Sequence, residues 1–272
     1  MVPPVVRVPR SSWRGTGVTS GERAIPEETA IAITYNGTTY AVMMATPQDL
    51  EDFGVGFSLS ERVVDTLESI EQLEAVETEL GIELRMWLKD VDAARLAERR
   101  RQHAGPTGCG LCGIESLAEA MRPPLPVSAT RTFTSAEIME AVASMAPAQI
   151  LNHETRAVHA AGYWEPGRGL VALREDVGRH NALDKLCGAL ARNGENARNG
   201  LIVLTSRISV EMVPKAASAG AAVLVAVSAP TALAVKMAEL SGMTLVAIAR
   251  PDGFEVFTHN ERIEGERTSH VA

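Results

Sequence analysis

The sequence has few cysteines and few aromatic residues, and it contains no long uninterrupted apolar run. Three cysteines among 272 residues do not make a disulfide framework, so a reducing, cytoplasmic environment is predicted. No segment reaches the ~18 consecutive apolar residues that indicate a transmembrane helix. Prolines and arginines also interrupt the N-terminal residues where a signal peptide would be apolar. We therefore expect neither secretion nor a membrane partner.

The charge balance is acidic. There are 26 Lys+Arg against 34 Asp+Glu, a formal net charge of −8, and this argues against a general nucleic-acid binder, which is usually basic. The hydrophobic fraction of 46% is close to that of globular proteins and excludes wholesale disorder. Because only 4% of residues are aromatic, we expect a core of small aliphatic side chains.

The first half predicts a small α+β domain. Residues 1–24 show no periodicity and are predicted to be a flexible tail. Asn36-Gly37 between two short β-type runs is a strong hairpin signal. Thr46-Pro47 predicts a helix start with Thr46 as N-cap, and alternation over residues 82–88 predicts a strand. Since prolines cluster near position 124, we place this domain at residues 25–127.

The second half has the pattern of an α/β domain, which we place at residues 128–272. Thr134 to Glu137 form a capping box that predicts a helix start. Farther along, three apolar strands alternate with two helices, an order that implies parallel strands with right-handed crossovers. The strands are predicted at 201–204, 223–227 and 245–249, and the helices at 210–222 and 231–240.

Three loops follow the carboxyl ends of these strands, where open α/β sheets bind ligands. They are Thr205-Ser206-Arg207, Ser228-Ala-Pro230 and Arg250-Pro251-Asp252-Gly253. Arginine side chains and helix N-termini both favour phosphate or another anion. The alternative is that the hydroxyls cap helices and the arginines face solvent.

Two further segments carry candidate site residues. The polar run from Arg174 to Asn181, which includes Arg179 and His180, lies between a strand and a helix and either lines a pocket or caps the helix. His159 lies within an apolar strand, where a hydrogen-bonded core residue is the commoner role than a catalyst.

Cys109-Gly-Leu-Cys112 lies in a glycine-rich loop at residues 103–113, and three interpretations are open. As a zinc site it supplies only two of four ligands. As a thioredoxin-type dithiol it lacks the usual strand-to-helix setting. As a sulfur carrier it needs a mobile thiolate, which the glycines and the nearby Arg99-Arg100-Arg101 favour. The zinc-deaminase motif, with its Pro before CxxC and its H-x-E, is absent.

Taken together, these segments resemble the formate dehydrogenase accessory sulfurtransferase family (FdhD-like) over roughly residues 30–260. The resemblance rests on short motifs that occur in the expected order: Tyr35-Asn-Gly37, Met43-Met-Ala-Thr-Pro47, Thr107-Gly-Cys109-Gly-Leu-Cys112-Gly113, His159-Ala-Ala161, Glu175-Asp-Val-Gly-Arg-His-Asn181, Ala182-Leu-Asp-Lys185, Thr205-Ser-Arg207, Glu211-Met-Val213, Lys215, Ser228-Ala-Pro-Thr231 and Leu233-Ala-Val235.

The resemblance implies a fold and an activity. The fold would be a cytidine-deaminase-like α/β/α core beside the smaller α+β domain. Cys109 would accept sulfur from a cysteine desulfurase as a persulfide, with Cys112 as its partner. The sulfur would pass to the molybdenum or tungsten bis(molybdopterin guanine dinucleotide) cofactor of formate dehydrogenase. A homodimer is expected, and no structural metal.

The resemblance also implies a cofactor-binding stretch. A guanine nucleotide would bind there as a mimic of the cofactor. The stretch maps onto Ala249, Arg250, Pro251, Asp252, Gly253 and Phe254, joined by Ser206, Arg207, Ser228, Arg179, His180 and His159. Two other functions stay open at this point. One is a non-catalytic chaperone of cofactor and apoenzyme, and the other is a zinc-stabilised binding module.

Overall fold

The structure is a computed structural model that describes residues 2–90, 92, 124–128 and 131–265. The predicted catalytic cysteines, Cys109 and Cys112, lie outside the described residues, as does the loop at 103–113. Within the described part, no helix is long and apolar enough to cross a bilayer.

The chain begins with a two-stranded antiparallel arm made of β1 (Val5–Arg14) and β2 (Gly17–Pro26). Most of its side chains are exposed, and the buried Ala24 lies at the base. Arg23 ties this base to the rest of the molecule, since its Nη2 donates to the Thr155 carbonyl at 3.4 Å. The predicted flexible tail over residues 1–24 is therefore wrong from Val5 onward. Periodicity failed there because the arm has no buried face to produce it.

A four-stranded sheet follows, with the strand order β4-β3-β6-β5. Strands β3 and β6 are parallel and the other neighbours are antiparallel. The bounds are β3 (Thr29–Tyr35), β4 (Thr38–Ala45), β5 (Ile70–Thr78) and β6 (Gly81–Leu88). The hairpin at Asn36-Gly37 is confirmed, with both residues at positive φ, as a type I′ turn requires.

One face of this sheet is covered by helix α1 (Leu50–Ser60). Phe53 and Phe57 of the helix pack on Ile31, Ile33 and other aliphatic side chains of the sheet to form one buried cluster. The predicted N-cap at Thr46 is wrong. The N-cap is Asp49, three residues later, and the helix begins at Leu50, because Thr46 is engaged elsewhere in the fold.

The second half is a six-stranded sheet with the order β13-β12-β11-β10-β8-β9. Strands β10, β11 and β12 are parallel, as predicted, while β8 and β13 run antiparallel to their neighbours in this central trio. The bounds are β8 (His159–Glu165), β9 (Gly169–Asp176), β10 (Leu201–Leu204), β11 (Val223–Ala226), β12 (Thr244–Arg250) and β13 (Gly253–Thr258). A short parallel pair, β7 (Phe133–Thr134) and β14 (Ile263–Glu264), lies apart from it.

Helices cover both faces of this sheet and give three α/β/α layers. Two separate buried clusters of mostly Ala, Val, Leu and Ile fill the two interfaces, as the scarcity of aromatic residues predicts. One face carries α4 (Arg179–Arg192), α5 (Met212–Ser218) and α6 (Ala232–Ser241), and the other carries α2 (Ser135–Ala148), which α3 (Ile150–Thr155) follows in the chain. The capping box at Thr134 and Glu137 is confirmed. The predicted α/β class is confirmed, and the cytidine-deaminase likeness stays a prediction.

The two halves meet where α1 crosses α4. A Cβ on Gly56 would lie 1.7 Å from the Asp184 carbonyl oxygen, and one on Gly188 would lie 1.9 Å from that of Asp52. Only glycine permits this approach, so these positions fix how closely the halves pack. Ion pairs also form at the crossing, where Arg174 and Arg192 contact Asp52, and Lys215 contacts Asp184.

Candidate functional site

The candidate site lies at the edge of the six-stranded sheet where β9, β10, β11 and β12 end and β8 begins. His159 and Asp176 are direct cross-strand partners at this edge. The loop after β10 is held against its neighbours on both sides. Thr205 N donates to the Ala160 carbonyl at 3.1 Å, and a parallel bridge joins Ile208 to Pro230. The structure therefore brings the first two of the predicted strand-end loops together beside His159.

Asp176 is the polar centre beneath this edge. Its buried carboxylate contacts Lys185 Nζ at 2.7 Å, and it accepts hydrogen bonds from Thr46 N, Gly178 N and the Asn181 side chain at 2.7–3.0 Å. Lys185 Nζ also donates to the Thr46 carbonyl at 2.9 Å, and both ionic side chains are 0% exposed. A fully buried ion pair needs such additional partners to offset the loss of water.

This network explains why Thr46 does not cap α1. Its hydroxyl accepts from Val177 N at 3.1 Å, and the neighbouring Met44 carbonyl accepts from the Asn181 amide at 2.8 Å. The end of β4 is thus attached to the start of α4. The sequence left open that a residue of the polar run 174–181 caps this helix with its side chain. In the structure Gly178 is the N-cap of α4, and no described side chain caps the helix.

His159 is half-buried at the start of β8. Its pKa is lowered below the usual value, chiefly by burial and then by the nearby positive charge of Arg179, although Asp176 acts in the opposite direction. The imidazole is therefore neutral at neutral pH, and one ring nitrogen is available as an acceptor.

Arg179 and His180 lie in the first turn of α4 and face the segment before α5. Arg179 Nε lies 3.4 Å from Ser209 Oγ, and His180 Nε2 lies 3.2 Å from Glu211 Oε1. Burial disfavours the Glu211 carboxylate, but the His180 ring and backbone hydrogen bonding outweigh it and lower the pKa of Glu211 to about 2. Neither His180 Nε2 nor Glu211 Oε2 has a well-aligned hydrogen-bond partner among the described residues.

The arginines of the edge have no counterion in the part of the chain that the structure describes. Arg179, Arg207 and Arg250 form no ion pair with any described residue, and Arg207 and Arg250 are exposed. Arg174 and Arg192 in the same half, by contrast, are both paired with carboxylates. Unpaired guanidinium groups at one edge of an acidic chain suit a polyanionic ligand, because they are free to bind phosphate in a bidentate manner.

The turn from β12 to β13 gives the third loop its shape. Ala249 is buried, whereas Arg250, Pro251 and Asp252 are exposed. Gly253 starts β13 at φ 142°, a backbone conformation that favours glycine. Phe254 packs against the cluster on the α2 side of the sheet and so anchors the turn.

A β-bulge lies just before this turn, between Ala247 and Arg250. Ile248 within it has φ 55°, which is strained for a β-branched residue. Its N–H donates to the Ser228 carbonyl at 3.2 Å, so the strained backbone connects the third loop to the second. In the first loop, Ser206 is buried and its hydroxyl donates to the Arg207 carbonyl at 3.1 Å.

The comparison with known proteins decides the family. The FdhD/NarQ family profile matches residues 26–264. The chain belongs to the FdhD/NarQ family. It is 50% identical over 258 residues to the sulfur carrier protein FdhD of Agrobacterium fabrum, covering 94% of this chain and 95% of the relative. It is 54% identical over 251 residues to the sulfur carrier protein FdhD of Brucella abortus, covering 92% and 93%.

A solved crystal structure has the same overall fold. The crystal structure of a proposed formate dehydrogenase accessory protein from Desulfotalea psychrophila superposes with a TM-score of 0.73 at 27% identity. The alignment covers 96% of this chain and all of that one. The resemblance drawn from the motifs is thereby confirmed.

Several residues of the candidate site in this FdhD/NarQ protein were not predicted from the sequence to be site residues. Thr46, Lys185 and Glu211 were quoted only as family motifs or as a helix cap, whereas Asp176 belongs to the polar run that was predicted either to line a pocket or to cap the helix. Asp184 and Lys185 lie among apolar residues of the predicted helix near 179–190. Such charges indicate buried polar contacts, because a buried charge needs a partner. The partner of Lys185 lies nine residues away, but Thr46 is remote in sequence and only the fold brings it there.

The third cysteine of this FdhD/NarQ protein, Cys187, is buried in α4. Burial raises the pKa of its thiol to about 12, and so it stays protonated and unreactive. Among the described residues, no group of three His, Cys, Asp or Glu side chains is arranged to hold a metal ion. Cys109 and Cys112 lie outside that search.

Proposed function

We propose that this protein carries sulfur for the maturation of formate dehydrogenase. In this proposal Cys109 accepts sulfur from a cysteine desulfurase as a persulfide and delivers it to the molybdenum or tungsten bis(molybdopterin guanine dinucleotide) cofactor, which is its substrate. The relatives named sulfur carrier protein FdhD, at 50–54% identity over almost the whole chain, support the carrier role. The observation that supports cofactor binding is the strand-end edge, where Arg179, Arg207 and Arg250 form no ion pair with any described residue.

The loading step is a thiol exchange. The Cys109 thiolate attacks the outer sulfur of the donor persulfide, a new S–S bond forms on Cys109, and the donor cysteine leaves as a thiolate. Attack by a nucleophilic acceptor on the outer sulfur then returns Cys109 as a thiolate. If Cys112 instead attacks Cys109 Sγ, hydrosulfide leaves and a disulfide remains, which a dithiol must reduce before the next round.

The cofactor is proposed to lie across the strand ends of the six-stranded sheet. Arg179, Arg207 and Arg250 would bind its phosphates. The neutral His159 would accept a hydrogen bond from the ligand. Ser206 and Ala249 would support the backbone of the site from buried positions, while residues 250–252 of the turn would supply the exposed surface.

The remaining parts of the proposal are the partners and the compartment. The proposed partners are a cysteine desulfurase, formate dehydrogenase and a second copy of the chain. The proposed compartment is the cytoplasm. No nucleic-acid partner is proposed, in keeping with the net charge of −8.

The first experiment measures intact mass after incubation with a cysteine desulfurase and cysteine. We expect the wild type to gain about one sulfur mass that reductant removes, and Cys109→Ala to gain none. Cys187→Ser is the matched control, because its buried thiol should not affect loading. Loading that survives in Cys109→Ala would overturn the assignment. A wild type that never loads but still binds cofactor and restores formate dehydrogenase would favour a non-catalytic chaperone.

The second experiment tests the arginine edge with GDP as probe. Arg207→Ala and Arg250→Ala are each expected to weaken GDP binding about tenfold by titration calorimetry, since each removes one charged contact to phosphate. Arg168→Ala is the control, because that arginine lies at the opposite end of β8 and β9, paired with Glu165 and Glu195. Equal affinities for all three variants would place the nucleotide elsewhere.

A further inference from the structure

The β1–β2 arm has two chemically different faces. Its register pairs Arg14 with Gly17, Arg10 with Gly21 and Val8 with Arg23. Because side chains alternate along a strand and cross-strand partners share a face, Arg10, Arg14 and Arg23 lie on one face. Two of these arginines stand opposite a glycine and therefore have no neighbouring side chain across the strand.

The arginine face is positively charged on a negatively charged protein. Residues 5–26 contain Arg7, Arg10, Arg14 and Arg23 against Glu22 alone, so the arm is +3 while the chain is −8. None of these arginines forms an ion pair with a described residue. Of these four arginines, only Arg23, at the base, forms a side-chain hydrogen bond with a described residue, to the Thr155 carbonyl. The charges of Arg10 and Arg14 thus face solvent.

The opposite face ends in an apolar tip. Trp13 and Val18 are cross-strand partners there, with 79% and 48% of their surface exposed. A tryptophan this exposed on an arm that packs only at its base is typical of a surface that another protein covers.

A complementary surface is present on the same chain. Strand β5 is the outermost strand of the four-stranded sheet, so one of its edges is unpaired among the described residues. The segment 63–84 that contains it has no lysine or arginine. It holds seven carboxylates, namely Asp65, Glu68, Glu71, Glu74, Glu77, Glu79 and Glu83. Arg85 contacts Glu74 and Glu83, and the positive charge of Lys89 acts on Glu68, so these two cations offset part of the negative charge.

We propose that the arm of one copy docks on the acidic β5 edge of a second copy. The arginine face would meet Glu71 and Glu79, which form no ion pair with any described residue and are exposed. Trp13 and Val18 would bury their apolar surface beside Leu80, whose side chain is 92% exposed at the β5–β6 turn. In a twofold dimer this contact occurs twice, because each copy offers both an arm and an edge.

The test is a charge swap read out by analytical ultracentrifugation. We expect the wild type to dimerise, and both Arg10→Glu/Arg14→Glu and Glu71→Lys/Glu79→Lys to weaken the dimer at least tenfold. Combining all four substitutions in one chain should restore much of the dimer, since the attractive pairing is re-formed with opposite signs. The wild-type dimer should also weaken as salt is raised, because exposed charges are screened.

Lys236→Glu is the control for a single charge reversal, since Lys236 is exposed on α6, away from both surfaces. It should leave the dimer unchanged. All these positions are exposed, and an unchanged melting temperature would show that the variants fold.

Three outcomes would overturn the proposal. They are a monomeric wild type, a dimer indifferent to the edge substitutions, and arm variants that lose binding to a nucleic acid while the dimer persists. None of these depends on sulfur. Persulfide loading of Cys109 in the same variants is read separately by mass, so failure of the arm contact and failure of the carrier proposal are distinguishable.

Discussion

Lys185 and Asp176 form the most consequential single contact of the site, because both charges are fully buried. Lys185→Met removes one partner and leaves the Asp176 carboxylate uncompensated. We expect a loss of about 3–5 kcal/mol in the free energy of unfolding, the usual cost of breaking a buried pair. Urea denaturation followed by circular dichroism measures it.

The control for this substitution is Lys236→Met, which removes an exposed lysine from α6. Its unfolding free energy should stay within about 0.5 kcal/mol of the wild type. A Lys185→Met protein as stable as this control would mean that Asp176 is satisfied without the lysine, by its hydrogen bonds alone.

Glu211 makes stability depend on acid. Its pKa in the folded protein is lowered to about 2, so its contribution is fully present above the unfolded value of 4.5 and is lost as pH falls through about 2. Because the side chain is only partly buried, we expect the contribution to be about 1 kcal/mol. Glu211→Gln should therefore flatten the stability curve of the wild type between about pH 4.5 and 2.

Urea titrations at several pH values measure this difference. Glu255→Gln serves as the comparison, because Glu255 is exposed and makes no ion pair with a described residue. If the Glu211→Gln and Glu255→Gln curves coincide, the His180 contact does not stabilise the folded protein.

At the scale of elements, the crossing of α1 and α4 depends on two glycines. Gly56→Ala would place a methyl group 1.7 Å from a backbone carbonyl that cannot move without shifting α4. We expect destabilisation of about 2–3 kcal/mol or more, as in other overpacked cores. The melting temperature, from differential scanning fluorimetry, is the measurement.

Gly54→Ala in the same helix is the matched control. Its Cβ would lie 3.1 Å from Leu73 Cδ1, the end of a flexible side chain, and alanine favours the helix by up to about 1 kcal/mol. Near-neutral behaviour is expected there. Equal losses at both positions would show that the helix itself, and not the crossing, is sensitive.

Elements with a buried face were predictable from sequence, and elements without one were not. The apolar strands β10, β11 and β12 and the hairpin at Asn36-Gly37 follow from pattern and turn chemistry. The exposed β1–β2 arm gives no such pattern. The start of α1 was misplaced because Thr46 satisfies the Val177 N–H instead of its own helix, a tertiary choice that local propensity does not contain.

At the scale of the whole molecule, the two halves are joined by contacts that neither can make alone. Thr46 binds Asp176, Ser60 binds Asp184, and the glycines of α1 and α4 interlock. We therefore expect one cooperative calorimetric transition for the wild type, with equal calorimetric and van't Hoff enthalpies. Two resolved transitions would show that the sheets unfold independently.

The candidate site was predictable only in outline. Strand order gives the edge and its loops, since the carboxyl ends of parallel strands meet there. Which arginines lack counterions depends on tertiary contacts. Arg174 in the predicted polar run is paired with Asp52 from α1, whereas Arg179 of the same run is not paired with a described carboxylate. Sequence spacing does not distinguish the two.

The strained backbone at Ile248 has a consequence for the rate at which this edge opens. Beyond Val246 the regular ladder from β12 to β11 ends and the Ile248 N–H donates to the Ser228 carbonyl in the loop instead, while the bulge also interrupts pairing with β13. Holding a β-branched residue at φ 55° costs about 1–2 kcal/mol. The amide hydrogens of residues 247–250 should thus exchange with deuterium well before those of β10 and β11, and slow down when an anion binds at Arg250.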